Sequence, residues 1–242
     1  MRKDLLYSKP LQVINDFKFN NLVASVFSNM INRSVPGYKT TLILIKILSS
    51  IHFKNNTNIF DVGCSLGASS EAIINGIKDK KYHLYAIDLS EHMIKKCKKN
   101  ILNKYPKASI SFLDKDVKNV IFKNASLVVF NFTLQFIQPN EKDDLIQKVY
   151  DGMSKNSILI LSEKILYNDP NVQHKKDMLH KKFKLMNGYS NLEIDQKKDA
   201  LKKILIAETI DEHIFRLKKI GFTNINTIYQ CINFSTIIAF KK

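Results

Sequence analysis

The stretch "IFDVGCSLGASSEAI", Ile59 to Ile73, limits most sharply what this chain can fold into. Its apolar opening reads as a strand, Gly63 to Gly67 as a sharp turn, and the residues from Ala68 as the start of a helix. Two chemistries use such a unit. Gly63-Cys64-Ser65-Leu66-Gly67 fits G-x-S-x-G, the elbow that presents a nucleophilic serine. Asp61-x-Gly63-x-x-x-Gly67 is a degenerate form of the acidic, Gly-rich turn that cradles adenosine cofactors. In that reading Gly63 and Gly67 let the backbone approach a ligand closely.

The strands beyond the turn separate the two chemistries. An adenosine site needs a carboxylate at the end of the second strand to grip ribose hydroxyls, roughly 20 residues on. Asp88 ends "HLYAID", 88 − 63 = 25 residues past Gly63. "SFLDKDV" puts Asp116 at the end of a third strand, and Asn131 ends a fourth. Ligands of open α/β sheets bind beyond these strand ends. A hydrolase would need an acid and then a histidine later in the chain. Asp169 with His174, His180 or His213 is available, but none ends a recognisable strand. Ser65 therefore reads as a site-lining residue whose backbone faces a cofactor.

The rest of the pattern agrees with an α/β class. Strands are expected at residues 58–62, 83–87, 109–113, 125–131 and 157–162, with amphipathic helices between them. One helix presents Met93, Ile94, Cys97 and Ile101 on a single face; another presents Leu145, Ile146 and Val149. Helical crossovers between short strands imply a mostly parallel, doubly wound sheet. After a helix carrying Ile214, Leu217 and Ile220 and ended by Gly221, residues 222–229 and 231–240 have no helix between them. They read as an antiparallel pair closing the sheet edge, the shape of class I methyltransferases. The expected organisation is one domain over residues 1–242. It comprises a helical lid segment over 12–50, a cofactor-binding core over 51–163, a helical insert over 164–206, and the last helix and hairpin over 207–242.

Composition excludes several functions. No segment approaches the ~20 apolar residues of a membrane span, and the N-terminus lacks the apolar core of a signal peptide. The three cysteines, Cys64, Cys97 and Cys231, are scattered. That argues for a reducing, cytoplasmic setting and against a zinc site. The six histidines form no ligand set, so no metal is expected. Net charge is +16, which attracts polyanions. Yet only Arg2, Arg33 and Arg216 of 38 basic residues are arginines. A surface built for phosphate forks would use more arginine, so the charge reads as mainly compositional and direct tRNA binding is not expected.

Five longer stretches carry a resemblance: "RSVPGY" (Arg33 to Tyr38), "DVGCSLGASS", "ASLVVFNFTLQFI" (Ala125 to Ile137), "LSEK" (Leu161 to Lys164) and "NGYSNLEIDQKK" (Asn187 to Lys198). From about Asn15 to the C-terminus the chain resembles the bacterial carboxy-S-adenosyl-L-methionine synthase family. The resemblance implies a methyltransferase fold turned to other chemistry. The family binds S-adenosylmethionine and uses prephenate, moving its carboxyl group to the cofactor's methyl carbon and leaving phenylpyruvate. A downstream tRNA carboxymethyltransferase then uses the product on wobble uridine. Carried over residue by residue, cofactor contacts fall on Tyr38, Gly63, Cys64, Ser65, Asp88, Leu89, Asp116, Val117 and Asn131.

The family also uses an arginine that reaches across a homodimer interface to the cofactor's carboxylate. Here that place holds Lys198, beside Lys197. A point charge thereby replaces a planar fork. The resemblance thus implies a homodimer with the insert at its interface. Arg33, in the lid segment, is expected to contact a substrate carboxylate, the alternative being a cap or an ion pair within the lid. Phe132, Phe136 and Tyr189 are expected as core or cleft wall. Glu163 is expected to end the fifth strand, paired with Lys164 or Arg33 or taking a catalytic part. The competing functional readings are an ordinary methyltransferase acting on RNA or a small molecule, and a non-catalytic RNA-binding protein.

Overall fold

A computed structural model of the chain describes residues 2–77 and 81–242. Eight strands form one sheet: β1 (Thr57–Val62), β2 (Tyr82–Asp88), β3 (Ile110–Asp114), β4 (Ala125–Asn131), β5 (Met153–Leu166), β6 (Glu208–Thr209), β7 (Thr223–Cys231) and β8 (Phe234–Lys241). The order is β3-β2-β1-β4-β5-β8-β7, with β6 pairing the far end of β5. The first five strands run parallel, and β8 lies antiparallel between β5 and β7. This is the expected doubly wound sheet with its terminal hairpin.

The period-2 geometry of strands splits the apolar residues between two cores. Ile59, Leu127, Val129, Ile158 and Ile160 face one side. There they pack under α2 (Tyr38–His52), α3 (Ala68–Gly76) and α4 (Glu91–Lys104). Phe60, Val128, Phe130, Leu159 and Leu161 face the other, against α5 (Pro139–Gly152) and α8 (Ile210–Ile220). Burial on both faces explains why these strands read as near-continuous apolar runs. Local chemistry fixes the helix ends. Ser90 accepts from Met93 N–H at the start of α4, Thr209 and Glu212 form a reciprocal capping box on α8, and Gly221 ends α8 at φ +112°.

Three sequence expectations need correction. Residues 12–20 are not helical; helix begins with α1 (Asn21–Ser34), capped by the Asn20 side chain. The preceding residues form an irregular strap, held by α7 (Asn191–Leu201) rather than by their own ladder. Gln196 on α7 bonds the backbone of Tyr7, Lys9 and Leu11, and Phe17 N–H donates to Ala200 O at 3.0 Å. Strand β5 runs well beyond residues 157–162, because Lys164 still pairs Phe234, and Ile165 and Leu166 pair β6. Glu163 therefore lies inside a strand. Finally, β3 stops at Asp114, and Asp116 caps a short 3-10 turn at Val117–Asn119. The insert contributes α6 (Pro170–Met186) and α7.

Candidate functional site

The carboxyl ends of β1, β2, β4 and β5 open into one cleft of about 1050 Å³. The strap, α1, α6 and α7 wall it on the other side, through Phe17, Phe19, Met30, Lys184 and Lys198 among others. Its size exceeds the usual single-ligand range and leaves room for a cofactor beside a second small molecule.

The turn after β1 is built on β2. Gly63 and Cys64 N–H both donate to Ile87 O, at 2.8 and 2.9 Å. Ser65 N–H donates to Asp88 Oδ2 at 2.9 Å. Ser65 itself sits at φ +49°, a left-handed conformation rare for a non-glycine residue. Its hydroxyl meets only Met93 Sδ, at 3.5 Å. His180, the histidine in the same cleft with the most defined partner, bonds Ser34 O at 2.8 Å instead. No base addresses Ser65 Oγ among the described residues, so the nucleophile-elbow reading lacks its triad.

The glycines of the turn do something other than expected. A Cβ on Gly63 (φ +72°) would lie 2.2 Å from Thr133 Oγ1. One on Gly67 (φ +89°) would lie 2.9 Å from Cys97 Sγ and 3.1 Å from Ile101. Their first task is close packing of the turn against β4's exit and α4, with the left-handed backbone as a second demand.

Asp88 is the centre of the polar groups at the end of β2. Its two oxygens each accept one backbone N–H, from Ser65 and from Ser90, both at 2.9 Å. A carboxylate offers about four acceptor positions, so roughly half of its capacity faces the cleft. Burial pushes its carboxyl up, against the pull of those two N–H groups. Leu89 beside it is 73% exposed, an apolar shelf at the cleft edge. Asp116 and Val117 line the cleft next to it; Asp116 is partly engaged by Lys118 N–H at 2.9 Å and Lys118 Nζ at 3.5 Å.

On the other side of β1, Asn131 Nδ2 donates to Ser69 Oγ at 2.9 Å, while its Oδ1 is buried and has no partner. Asn131 is one of the residues that line the cleft. Tyr38 and Phe132 stand beside it with ring centres 6.3 Å apart. Phe132 is also left-handed, at φ +63°. Glu163 supports this corner. It accepts from the N–H of Thr133, Leu134 and Gln135 at 3.2, 2.8 and 3.0 Å, so a buried carboxylate anchors the turn carrying Phe132 and Phe136. Burial pushes its carboxyl up to about 8, opposed by those donors and by Lys142. It pairs with neither Lys164 nor Arg33, because the three N–H groups already surround both its oxygens. Beneath the turn, buried Asp61 accepts from Ser70 Oγ at 2.6 Å, and burial pushes its carboxyl up to about 7.

Arg33 is not on the cleft wall. Its guanidinium lies 3.7 Å from the centre of the Tyr189 ring and donates to Asn187 O at 2.8 Å and Asp4 O at 3.0 Å. It locks the N-terminus and the α6–α7 loop onto α1, so the expected contact with substrate gives way to a positioning place. Tyr189 does line the cleft. Lys198 lines the cleft of its own chain, as does Lys197, whose Nζ donates to Ser34 Oγ at 3.1 Å and stands 3.9 Å from Asp4. No second chain is needed to bring Lys198 to the cleft.

Sequence reasoning does not single out Lys164 or Lys184 as site residues and misses Asp4 entirely. Lys164 is legible only as part of "LSEK"; Lys184 sits in a lysine-rich helix whose composition gives no reason to choose it.

An acid at the end of β2, a turn hooked onto it and an open cleft at the parallel strand ends define a methyltransferase-fold cofactor site. Comparison with known proteins agrees. A methyltransferase-domain family model matches residues 59–156. Magnesium protoporphyrin IX methyltransferase from Synechocystis PCC 6803, solved with bound S-adenosylhomocysteine, superposes with TM-score 0.59 at 14% identity, covering 85% of this chain and 83% of that one. Human N-acetylserotonin methyltransferase, solved with S-adenosylmethionine, gives 0.60 at 12% identity, over 91% and 55% of the two chains. At such identities the likeness is one of fold.

Sequence narrows the class. The chain is 38% identical over 239 residues to carboxy-S-adenosyl-L-methionine synthase of Shewanella piezotolerans, covering 99% of this chain and 98% of that protein. It is 43% identical to that of Pseudoalteromonas atlantica over 240 residues, again 99% and 98%. The chain belongs to the carboxy-S-adenosyl-L-methionine synthase family and is a transferase. The residues fit an S-adenosylmethionine: Asp88 has free acceptor positions, Asn131 has an unmet buried acceptor, and both residues line the cleft. Among the described residues no group of His, Cys, Asp and Glu could hold a metal, and no helix is long and apolar enough to cross a membrane.

Proposed function

We propose that this chain carboxylates S-adenosylmethionine with prephenate as donor. The observation that carries the reading is a division of the cleft. Asp88 and Asn131 line it at β2 and β4, while Lys164, Lys184, Lys197 and Lys198 line it at β5, α6 and α7, together with Lys181 and Lys202 and against three acids, Asp177, Glu193 and Asp195. A methyl transfer to a neutral acceptor has no use for four lysines; a dicarboxylate donor and a carboxylated product do.

Asp88, Leu89, Asp116 and Val117 would hold the nucleoside, and Tyr38, Gly63, Cys64, Ser65 and Asn131 the remainder of the cofactor. When bound, its sulfonium makes the methyl protons acidic, the property that carboxylation requires. In net terms, prephenate loses its ring carboxyl and ring hydroxyl and becomes phenylpyruvate. The carboxyl carbon joins the methyl carbon, and the displaced methyl proton leaves with the hydroxide as water. The chain's part is to exclude solvent with the strap and aromatic walls, and to hold anions with Lys198 and its neighbours. Carboxymethylation of tRNA wobble uridine is the use we assign to the product, by a separate enzyme in the same cytoplasm.

We also assign a homodimer through α6 and α7. Met178, Leu179, Met186 and Leu192 are exposed there, an apolar set that a second copy would cover.

Incubation with S-adenosylmethionine and prephenate tests the reaction. Carboxylated cofactor and phenylpyruvate should appear in equal amounts, with no S-adenosylhomocysteine. S-adenosylhomocysteine together with a methylated RNA or small molecule, and no carboxylated cofactor, would establish an ordinary methyltransferase instead.

A further inference from the structure

The lysines on the cleft wall are not equivalent. Lys197 has Ser34 and Asp4. Lys164 and Lys184 have no hydrogen bond or ion pair at Nζ among the described residues, although both are more than half withdrawn from solvent. The two acids that act on Lys184, Asp177 and Asp195, each have another partner as well. Asp195 pairs with Lys181 at 3.5 Å, and Asp177 accepts from Gln173 Nε2 at 2.9 Å. Two unpaired, partly desolvated ammonium groups facing one cleft are an unfavourable arrangement unless an anion completes it.

Their place in the sheet says which anion. Lys164 extends β5 two residues past Ser162, the partner of Asn131. From Asp88 on β2 to β5 is three strand steps, through β1 and β4, or about 14 Å at the usual spacing. Lys164 therefore lies on the opposite side of the cofactor turn from the ribose acid, where a second substrate has its remote end, and Lys184 on α6 lines the same cleft and acts on it electrostatically. On the carboxyl-transfer reading, Lys198, which lines the cleft at the place of the family's arginine, would serve the carboxyl that reaches the methyl carbon. A dicarboxylate donor has one carboxylate left over.

We propose that Lys164 and Lys184 form a carboxylate-binding subsite for the pyruvyl carboxylate of the donor, the group that stays behind in the keto-acid product. This rests on the carboxyl-transfer reading above. The electrostatics agree. Burial, with Lys164 and Lys198 adding to it, holds the Lys184 ammonium down to about 8, while Asp177 and Asp195 oppose that. Burial likewise lowers Lys164, with Asp177 against and Lys198 in the same sense. Two further groups face Lys184. Burial holds His180 neutral down to about 3, so it keeps its charge state near 8, while burial holds Lys197 down to about 7, so its titration overlaps the lower side of the same window. A bound carboxylate would restore both charges of the pair. Donor affinity should thus fall as pH rises through about 8, the point at which native Lys184 gives up its proton.

Steady-state kinetics on the full chain test it, with Lys164→Met, Lys184→Met and the double variant. Each single change should raise KM for prephenate about tenfold or more, as loss of a charge-assisted bond does. Affinity for S-adenosylmethionine, measured by titration calorimetry, should stay within about twofold. The inhibition constant of phenylpyruvate should rise by the same factor as KM, because product and donor share the held carboxylate. In Lys184→Met the part of the fall centred near pH 8 should vanish, leaving at most the titration of Lys197 near 7. Unchanged KM in the double variant, with product still formed, overturns the subsite and leaves the reaction standing. A raised KM with unchanged phenylpyruvate inhibition also overturns it, since the lysines would then hold the ring carboxyl. Failure of the native protein to bind prephenate or form product overturns the reaction and the subsite together.

Discussion

The two halves of the cleft are made of different material. At β1, β2 and β4 the polar groups are backbone N–H donors and a short acid fixed by the sheet: Asp88 by Ser65 and Ser90, Gly63 by Ile87 O, and the turn after β4 by three consecutive N–H bonds to Glu163 of β5. At β5, α6 and α7 they are mainly long lysine side chains, most of them on helices outside the sheet; Lys164, Lys184 and Lys198 have no hydrogen bond or ion pair at Nζ among the described residues. The first half is preorganised by covalent geometry and strand register. The second stores like-charge repulsion that only a ligand removes. Cofactor recognition is therefore expected to be rigid and the less sensitive to pH, and donor recognition adjustable and pH-sensitive.

The largest break in that comparison should come from Asp88. Asp88→Ala removes the acceptor for the ribose and also leaves Ser65 N–H and Ser90 N–H without a partner. A charged hydrogen-bond partner contributes about 1.5–3 kcal/mol, so S-adenosylmethionine affinity should drop about tenfold to a hundredfold. Titration calorimetry at neutral pH reads this directly. Native affinity in the variant would mean that the rigid half does not grip the cofactor through β2.

The same contrast explains what is legible in the sequence. The sheet half can be read because strand, turn and acid recur at spacings that physics dictates: a ligand must lie beyond strand ends, and Asp88 falls there. Even within it the sequence hides the reason for the glycines, because the close approach of Thr133 to Gly63 and of α4 to Gly67 is tertiary. Asp116 lies beyond the strand end expected for it, β3 ending at Asp114. The lysine half is nearly invisible. In a chain with 38 basic residues, the lysines that line the cleft look like the others. The strap reads as helix because its stabilising partners, Gln196 and Ala200, lie about 185 residues away in the chain. Arg33 stands out by rarity, yet its bonds to Asn187 and Asp4 come from segments no local pattern connects to it.

A smaller effect sharpens the second half. Lys184 has a folded-state value below its ordinary one, so the native state holds fewer protons than the unfolded chain between about 8 and 10.5. Stability from this group thus rises with pH across that window, and below it the cost of the buried charge is constant. Lys184→Met should then be more stable than the native chain at pH 7, on the order of 1 kcal/mol after screening is allowed for. That corresponds to a rise of about 2–4 °C in Tm. The advantage should shrink toward zero as pH approaches 10.5. Thermal melts of the two proteins at about pH 7, 8.5 and 10 compare them across that window. A variant less stable than native at every pH would mean that Lys184 is held by the fold and not in reserve for a ligand.

The smallest effect should be at Ser65, and it bears on the first half. Its backbone carries the function: the N–H reaches Asp88 at 2.9 Å, and φ +49° is what aims it there. The hydroxyl touches only Met93 Sδ at 3.5 Å, a weak acceptor worth little. Ser65→Ala keeps the N–H, keeps a Cβ that the backbone already accommodates, and removes only that contact. Activity should fall by less than about threefold, because the interaction lost is far below 1 kcal/mol and a threefold change is already ~0.65 kcal/mol. A catalytic serine would behave otherwise, losing several orders of magnitude on the same change. Ser65→Gly is the complementary probe: it preserves the N–H but frees the backbone, so cofactor affinity should suffer more than in Ser65→Ala. If alanine instead abolishes product formation, or a fluorophosphonate labels Ser65, then the turn is presenting its side chain and the division between a backbone half and a lysine half does not hold.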